Sequence, residues 1–200
     1  MLVSIEGNIG SGKSTLVANL KEYFPHVILL QEPVEEWNTI KDSSGVTILE
    51  KYYSNQKRWA FSFQMMAFIT RLNCIRKTIK QYPAAIIVTE RSVFTDREIF
   101  ARMLFDDGKI EDIEYDIYLR WFDEFTGDIK IDKTIYIQTT PELCAERVAK
   151  RNRQGELIPL EYLKTCHEYH ENWLTTDSEI LDGRLCITDW LEQIKPFLQH

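Results

Sequence analysis

The stretch Leu2-Val3-Ser4-Ile5-Glu6-Gly7-Asn8-Ile9-Gly10-Ser11-Gly12-Lys13-Ser14 decides the fold of this 200-residue chain. An apolar run ends in a glycine-rich turn, and a helix-forming sequence follows directly at residues 15–20. The backbone N–H groups of such a turn, with the positive end of the following helix, form a cradle for phosphate groups. A lysine at a helix N-terminus, where the helix dipole disfavours it, fits an anionic ligand better than a plain turn. The stretch therefore predicts a phosphate-binding loop between a strand and a helix.

Within this loop, Lys13 is expected to reach the outer phosphates of a nucleoside triphosphate, and Ser14 to ligate Mg²⁺. The residues predicted to bind the phosphates are Gly7, Asn8, Ile9, Gly10, Ser11, Gly12, Lys13, Ser14 and Thr15.

Composition limits the class of protein without choosing it. The net charge of −7 argues against a general binder of nucleic acids or anionic membranes, both of which need a basic surface. The cysteines are scattered without a CxxC pair, so we expect reduced thiols of a cytoplasmic protein rather than a zinc site or disulfides. No apolar run reaches the length of a membrane span, and no signal segment is recognised. We expect one domain over residues 1–200.

Short apolar runs alternate with helical patterns along the chain, which is typical of an α/β fold with a parallel sheet. We predict a five-stranded parallel sheet flanked by helices, an architecture of three layers. Strands are predicted at residues 2–6, 26–31, 85–89, 134–138 and 184–188. Helices are predicted at 56–81, 95–105, 111–125, 141–151, 160–175 and 189–199.

Polar residues follow two of the predicted strands, where ligands of parallel sheets bind. Glu32 follows the second strand, and Glu90 and Arg91 follow the third. If these strands flank the first, all three side chains face the space beside the phosphate loop. One carboxylate could then accept the proton of an attacking hydroxyl, the other could hold hydrated Mg²⁺, and the arginine could neutralise developing charge. The residue types alone leave the two carboxylate roles open.

A basic cluster ends the helix predicted at 141–151. It consists of Arg147, Lys150, Arg151 and Arg153, and Arg147 and Arg151 share one helix face by their spacing. We interpret residues 147–157 as a lid whose arginines close over the transferring phosphoryl group. The alternative is a set of cations that stabilises a helix C-terminus.

The chain resembles the P-loop deoxynucleoside kinases, and within them the deoxycytidine and deoxyguanosine kinase branch. The resemblance covers nearly the whole chain and depends on residues 5–14, Glu32-Pro33-Val34 with Trp37, Arg58-Trp59 with Phe63-Gln64, Glu90-Arg91-Ser92, the arginine lid, and Ile158-Pro159-Leu160 with Tyr162-Leu163.

The resemblance implies an ATP-dependent enzyme that phosphorylates the 5′-hydroxyl of a deoxynucleoside for nucleotide salvage, and commonly a homodimer. It implies that Glu32 is the base, with Arg91 beside it, and that Ser14 and Glu90 serve Mg²⁺. Tyr53 and Glu156 match the residues that hold the ribose 3′-hydroxyl, Trp37 and Phe100 those that contact the nucleobase, and Gln64 the base-reading amide. The segment between Arg153 and Pro159 is one residue shorter than in animal enzymes of the family, so Glu156 is assigned by realignment.

Arg71 and Asp96 bear on the choice of substrate. If they meet beside the nucleobase, the Asp96 carboxylate can accept a hydrogen bond from an exocyclic amino group, which cytosine and adenine present. Thymine presents a carbonyl oxygen there, which would leave both groups unpaired at a cost of about 1–3 kcal/mol. We therefore expect deoxycytidine or purine deoxynucleosides to be favoured over thymidine. The alternative is an ordinary salt bridge on a helix surface.

Other functions fit part of the pattern. The resemblance implies that a kinase of thymidine or of pyrimidine deoxynucleosides in general would lack the Arg71 and Asp96 pair and keep the other motifs. A nucleoside monophosphate kinase has an anionic acceptor, which the acidic and aromatic neighbourhood of Glu32 disfavours. A non-catalytic nucleotide-binding switch would need neither Glu32 nor the lid arginines.

Overall fold

A computed structural model describes residues 1–151, 158–174 and 178–199 of the chain. The elements in chain order are β1 (Leu2–Glu6), α1 (Lys13–Tyr23), β2 (Ile28–Leu30), α2 (Val34–Trp37), α3 (Ile48–Ser54), α4 (Gln56–Gln81), β3 (Ile87–Glu90), α5 (Val93–Thr95), a π-helical turn (Asp96–Ala101), α6 (Arg102–Asp106), α7 (Asp112–Thr126), β4 (Lys133–Gln138), α8 (Pro141–Arg151), α9 (Leu160–Leu174), β5 (Glu179–Asp182) and α10 (Ile187–Leu198).

The strands within the described ranges form one five-stranded parallel sheet in the order β2-β3-β1-β4-β5. The fold is therefore α/β, with the phosphate loop after the central strand. The arrangement in which the second and third strands flank the first is wrong in one respect: β3 lies between β1 and β2. Glu32 consequently follows a strand that lies one position farther from β1 than the strand of Glu90, but both side chains line the same cavity.

Each face of the sheet is covered by helices with apolar faces. On one face, α1 and α10 bury Leu16, Leu20, Trp190 and Ile194 against the alternate strand residues, including Val3. On the other face, α4 and α7 contribute buried side chains that include Phe68, Leu72, Ile75, Tyr118 and Phe122. Burial of this apolar area is the main force that holds the layers together. Across the described ranges, none of the helices combines the length and the apolar character needed to cross a bilayer.

The sequence predicts most element positions correctly. Helices at 56–81 and 141–151 have the predicted bounds, and the others end within a few residues of them. The strand predicted at 184–188 is wrong, because β5 spans Glu179–Asp182. The chain turns at Asp182, where the N–H of Leu185 donates to the Asp182 carbonyl at 3.1 Å, and α10 already begins at Ile187. The apolar residues of 184–188 belong to this turn and to the first turn of α10, so their alternation does not reflect a strand.

Candidate active site

The phosphate loop joins β1 to α1 as predicted, and its glycines are required by the backbone. Gly7, Gly10 and Gly12 have φ values of 145°, 83° and 109°, which favour glycine. Space is equally restricted, since a Cβ atom on Gly10 would lie 2.5 Å from the Cys144 carbonyl oxygen. A Cβ atom on Gly12 would lie 2.8 Å from the Trp190 ring. The loop is therefore packed from outside by α8 and α10, which leaves its inner side to a ligand.

Lys13 is buried at the start of α1, and its ammonium group is held by the loop itself. Its Nζ donates to the carbonyl oxygens of Gly7 at 2.8 Å and Asn8 at 2.6 Å. Burial, together with the charge of Arg91, lowers the pKa of Lys13 to about 7. A phosphate group that displaced these carbonyls would stabilise the charged lysine.

Ser14 and Glu90 meet at the mouth of the loop, where the Ser14 hydroxyl donates to Glu90 Oε1 at 2.6 Å. Glu90 ends β3 and is almost fully buried, whereas Ser14 is exposed. Mg²⁺ is usually held by only one or two protein oxygens together with phosphates and water, and this pair of oxygen donors fits that pattern. Across the described ranges, no cluster of three or more His, Cys, Asp or Glu side chains is arranged for a metal ion.

Glu32 lies between two arginines, Arg71 and Arg91. Arg91 Nη1 donates to both of its carboxylate oxygens, at 2.8 and 2.9 Å, and Arg71 Nη2 donates to Oε1 at 2.9 Å. Burial alone would raise the pKa of Glu32, but the charges of Arg91 and Arg71 hold it at about 2. The carboxylate is therefore ionised throughout the neutral range and fixed in orientation.

Arg71 also forms the ion pair with Asp96 that the sequence suggested. Arg71 Nε donates to Asp96 Oδ2 at 2.9 Å, and Arg71 Nη1 donates to the Glu90 carbonyl at 3.0 Å. The exposed fractions of the Arg71 and Asp96 side chains are 3% and 2%. The alternative of a helix-surface salt bridge is thus wrong. Burial raises the pKa of Asp96 to about 6, although Arg71 opposes the shift.

These groups line one cavity of about 710 Å³, and residues of the phosphate loop line it as well. Its walls contain the predicted residues Trp37, Tyr53, Gln64, Phe100, Arg147 and Arg151. The indole N–H of Trp37 donates to Thr70 on α4 at 2.9 Å, which fixes its ring at the cavity edge. Gln64 is buried, and its Oε1 finds no hydrogen-bond donor in the described part of the chain.

An aromatic wall beside Gln64 was given no role by the sequence. Tyr52 and Phe63 stack with ring centroids 4.4 Å apart, and the hydroxyls of Tyr52 and Tyr162 lie 3.1 Å apart. All three side chains line the cavity. Phe63 belongs to the apolar stripe of α4 and looks like a core residue. The available signal was adjacency, because Tyr52 and Phe63 immediately precede the predicted site residues Tyr53 and Gln64.

The predicted lid is described only as far as Arg151. Arg147 Nη1 donates to the Ser11 carbonyl at 2.9 Å, and Nη2 donates to the Gly183 carbonyl at 2.8 Å. Arg147 thus ties the phosphate loop to the turn after β5. Arg153 and Glu156 lie outside the described residues.

A phosphate loop after the central strand of a parallel sheet, opposite an acceptor cavity with an oriented carboxylate, defines a P-loop phosphotransferase. Comparison with known proteins identifies the group: the deoxynucleoside kinase family model matches residues 3–194, and the chain belongs to this family of kinases.

Similar proteins include a probable deoxycytidine kinase of fowlpox virus, 41% identical over 88% of this chain and 73% of that protein. Human deoxycytidine kinase is 35% identical over 86% of this chain and 74% of its own length. The mitochondrial deoxyguanosine kinase of Xenopus laevis is 32% identical over 86% and 72%. The predicted resemblance to the deoxycytidine and deoxyguanosine kinase branch is confirmed, and the chain is a deoxynucleoside kinase.

Proposed function

We propose that this kinase transfers the γ-phosphoryl group of ATP to the 5′-hydroxyl of deoxycytidine or a purine deoxynucleoside in preference to thymidine, as a step of nucleotide salvage. The observation that carries the preference is the buried Arg71 and Asp96 pair in the wall of the acceptor cavity. Relatives named deoxycytidine and deoxyguanosine kinases support the same choice.

On the donor side, the phosphate loop would hold the ATP phosphates with its backbone N–H groups and Lys13. Ser14 and Glu90 would hold Mg²⁺, which supplies charge neutralisation to the transferring phosphoryl group. Arg151 lines the same cavity and would approach the phosphates from α8. The sequence predicts the same role for Arg153, which lies outside the described residues. Arg147 would first stabilise the loop through the Ser11 carbonyl.

On the acceptor side, Glu32 would accept a hydrogen bond from the 5′-hydroxyl and aim its oxygen at the donor. Phosphoryl transfer passes through a loose transition state in which the hydroxyl proton leaves late. A carboxylate with a pKa of about 2 suits this role, since orientation of the nucleophile matters more than early proton removal. Arg91, bound to the same carboxylate, would offset the charge that builds up on the phosphoryl oxygens.

Base recognition would combine Gln64 and Asp96. The unpartnered Gln64 Oε1 is a buried acceptor that would gain a donor from an amino group of the nucleobase, while its NH₂ could donate to a ring nitrogen. The Gln64 amide carries both an acceptor and a donor, so it could also rotate to suit thymine. Asp96 cannot exchange an acceptor for a donor by rotating, because an ionised carboxylate only accepts hydrogen bonds. Trp37 and Phe100 would contact the base, and Tyr53 and Glu156 would hold the 3′-hydroxyl.

The experiment that tests this function measures kcat/KM for the four natural deoxynucleosides with Mg-ATP. We expect deoxycytidine or a purine deoxynucleoside to exceed thymidine. Dominant use of thymidine would overturn the preference and favour a thymidine or broad-pyrimidine kinase. Absence of turnover with all four would leave the nucleotide-switch alternative.

We further propose a homodimer that pairs through α7. Ile113, Ile117 and Trp121 follow one another at four-residue intervals and expose 75%, 38% and 47% of their surfaces, so they form one apolar face. Light scattering should give a dimer mass for the protein and a monomer mass for Trp121→Glu, whereas the neighbouring Arg120→Gln should stay dimeric.

The acidic net charge supports the absence of nucleic-acid and membrane partners. A cytoplasmic location stays a prediction.

A further inference from the structure

Glu6 is a buried carboxylate that no step proposed above uses. It is the last residue of β1, it precedes the phosphate loop directly, and its side chain is 0% exposed. Its two oxygens accept hydrogen bonds from the Ser92 N–H at 2.9 Å and from the Thr95 hydroxyl at 2.5 Å. A carboxylate removed from water is costly unless its oxygens are hydrogen-bonded. Both donors are uncharged, and both belong to the short segment between Arg91 and Asp96.

That segment connects the acceptor arginine to the base-reading aspartate. Ser92 precedes a continuous helical run from Val93 to Asp106, so the Glu6 carboxylate lies at the positive end of this run. Asp96 and Phe100 follow within the π-helical turn. The contact of Glu6 with Ser92 and Thr95 therefore joins the start of the phosphate loop to the start of the segment that carries Asp96 and Phe100.

The backbone of Arg91 is held in an unusual conformation next to this contact. Its φ is 62°, in the left-handed region that residues other than glycine rarely occupy. The N–H of Arg91 donates to the Ile5 carbonyl at 3.0 Å, and its own carbonyl accepts from the Thr89 hydroxyl at 2.8 Å. Glu6 fixes the next peptide N–H, that of Ser92. A strained conformation persists only where its surroundings determine it from several sides.

We propose that Glu6 is a positioning residue for phosphoryl transfer. By holding Ser92 and Thr95, it fixes the left-handed turn at Arg91, so that this guanidinium meets Glu32 at 2.8 Å beside the phosphate loop. The inference depends on the proposed function, in which Arg91 and Glu32 act on the acceptor. It assigns to Glu6 the alignment of the acceptor half with the donor half.

A double-mutant cycle tests this role. Thr95→Val removes one donor to Glu6, and with it the oxygen that accepts from the Ser92 N–H at 3.3 Å, with little change of shape. We expect it to lower kcat about tenfold, since small displacements of reacting groups are costly. In an Arg91→Ala background the same change should lower kcat less than about twofold, because Glu6 acts through Arg91. Thr126→Val, at a buried threonine of α7 that donates to the Phe122 carbonyl at 2.8 Å, is the matched control and should leave kcat unchanged.

Glu6→Gln should lower kcat in the same direction, and if it does not fold, Thr95→Val still decides the question. An unchanged kcat in Thr95→Val, or an equal loss in both backgrounds, would overturn the inference and leave Glu6 a purely structural residue. Unmutated protein that turned over none of the four deoxynucleosides would instead contradict the proposed function.

Discussion

The donor and acceptor halves of the cavity are built in different ways. The phosphate cradle of the donor half comes from one continuous stretch, residues 7–14, and uses mainly backbone groups whose positions follow from glycine conformations. Glu90 and Arg151 join this half from elsewhere in the described chain, at the ends of β3 and α8. The acceptor half is built from side chains of α2, α4, the ends of two strands and a π-helical turn, far apart in sequence. Backbone cradles recognise phosphates of any nucleotide, whereas side chains can discriminate between bases. We therefore expect changes in the donor half to affect all substrates equally, and changes at the side chains of the acceptor half that contact the base to affect them selectively.

The largest expected effect lies in the donor half. Lys13→Met should lower kcat about 100- to 1,000-fold with every deoxynucleoside. The substitution removes a positive charge that is already positioned to stabilise the phosphates in the transition state. Steady-state kinetics with deoxycytidine and deoxyadenosine measure it, and Lys21→Met on the exposed face of α1 is the control. A loss that differed strongly between acceptors would contradict the division of the cavity.

Glu32→Gln in the acceptor half should lower kcat about 100-fold. Glutamine keeps the size of the side chain but lacks the negative charge that Arg71 and Arg91 orient. ATP binding should change little, because Glu32 belongs to the acceptor half of the cavity. Binding of ATP by calorimetry and single-turnover phosphorylation separate the two quantities, with the exposed Glu36→Gln as control. If phosphorylation were intact in Glu32→Gln, Glu32 would not be the base.

Asp96→Asn should change selectivity more than overall rate. Asparagine can donate a hydrogen bond to the thymine carbonyl, so a penalty of about 1–3 kcal/mol against thymidine is removed. The ratio of kcat/KM for deoxycytidine to that for thymidine should fall by about 5- to 150-fold. The same ratio in Asp116→Asn, on the exposed surface of α7, should not move. An unchanged ratio in Asp96→Asn would remove Asp96 from base recognition.

The smallest effect concerns pH. Since the pKa of Asp96 is raised to about 6, the carboxylate gains a proton as the pH falls from 7.5 to 5.5 and becomes able to donate to a carbonyl. The deoxycytidine-to-thymidine ratio should therefore fall a few-fold over this range. Glu32, with a pKa of about 2, does not titrate there, and the charging of Lys13 near pH 7 affects both acceptors and cancels in the ratio. Asp96→Asn should abolish the pH dependence, and a ratio that rose on acidification would contradict the assignment.

The sequence by itself determined the α/β fold, the position of the phosphate loop, and the family to which the chain belongs. These follow from local order: a strand, a glycine turn and a helix in succession can fold in few ways, and the flanking motifs are short and continuous. The misplaced strand at 184–188 shows the limit of the same reasoning, since a few alternating apolar residues can serve a turn and a helix start as well as a strand.

Only the tertiary structure decided how the acceptor half is assembled. It brought Arg71 into simultaneous contact with Glu32, Asp96 and the Glu90 carbonyl, attached Arg147 to the Ser11 and Gly183 carbonyls, and placed Tyr52, Phe63 and Tyr162 in the cavity wall. Each of these arrangements joins residues that are distant in sequence. The pairing of such side chains depends on strand order and helix packing, because the chain must fold before a buried arginine can meet its carboxylates.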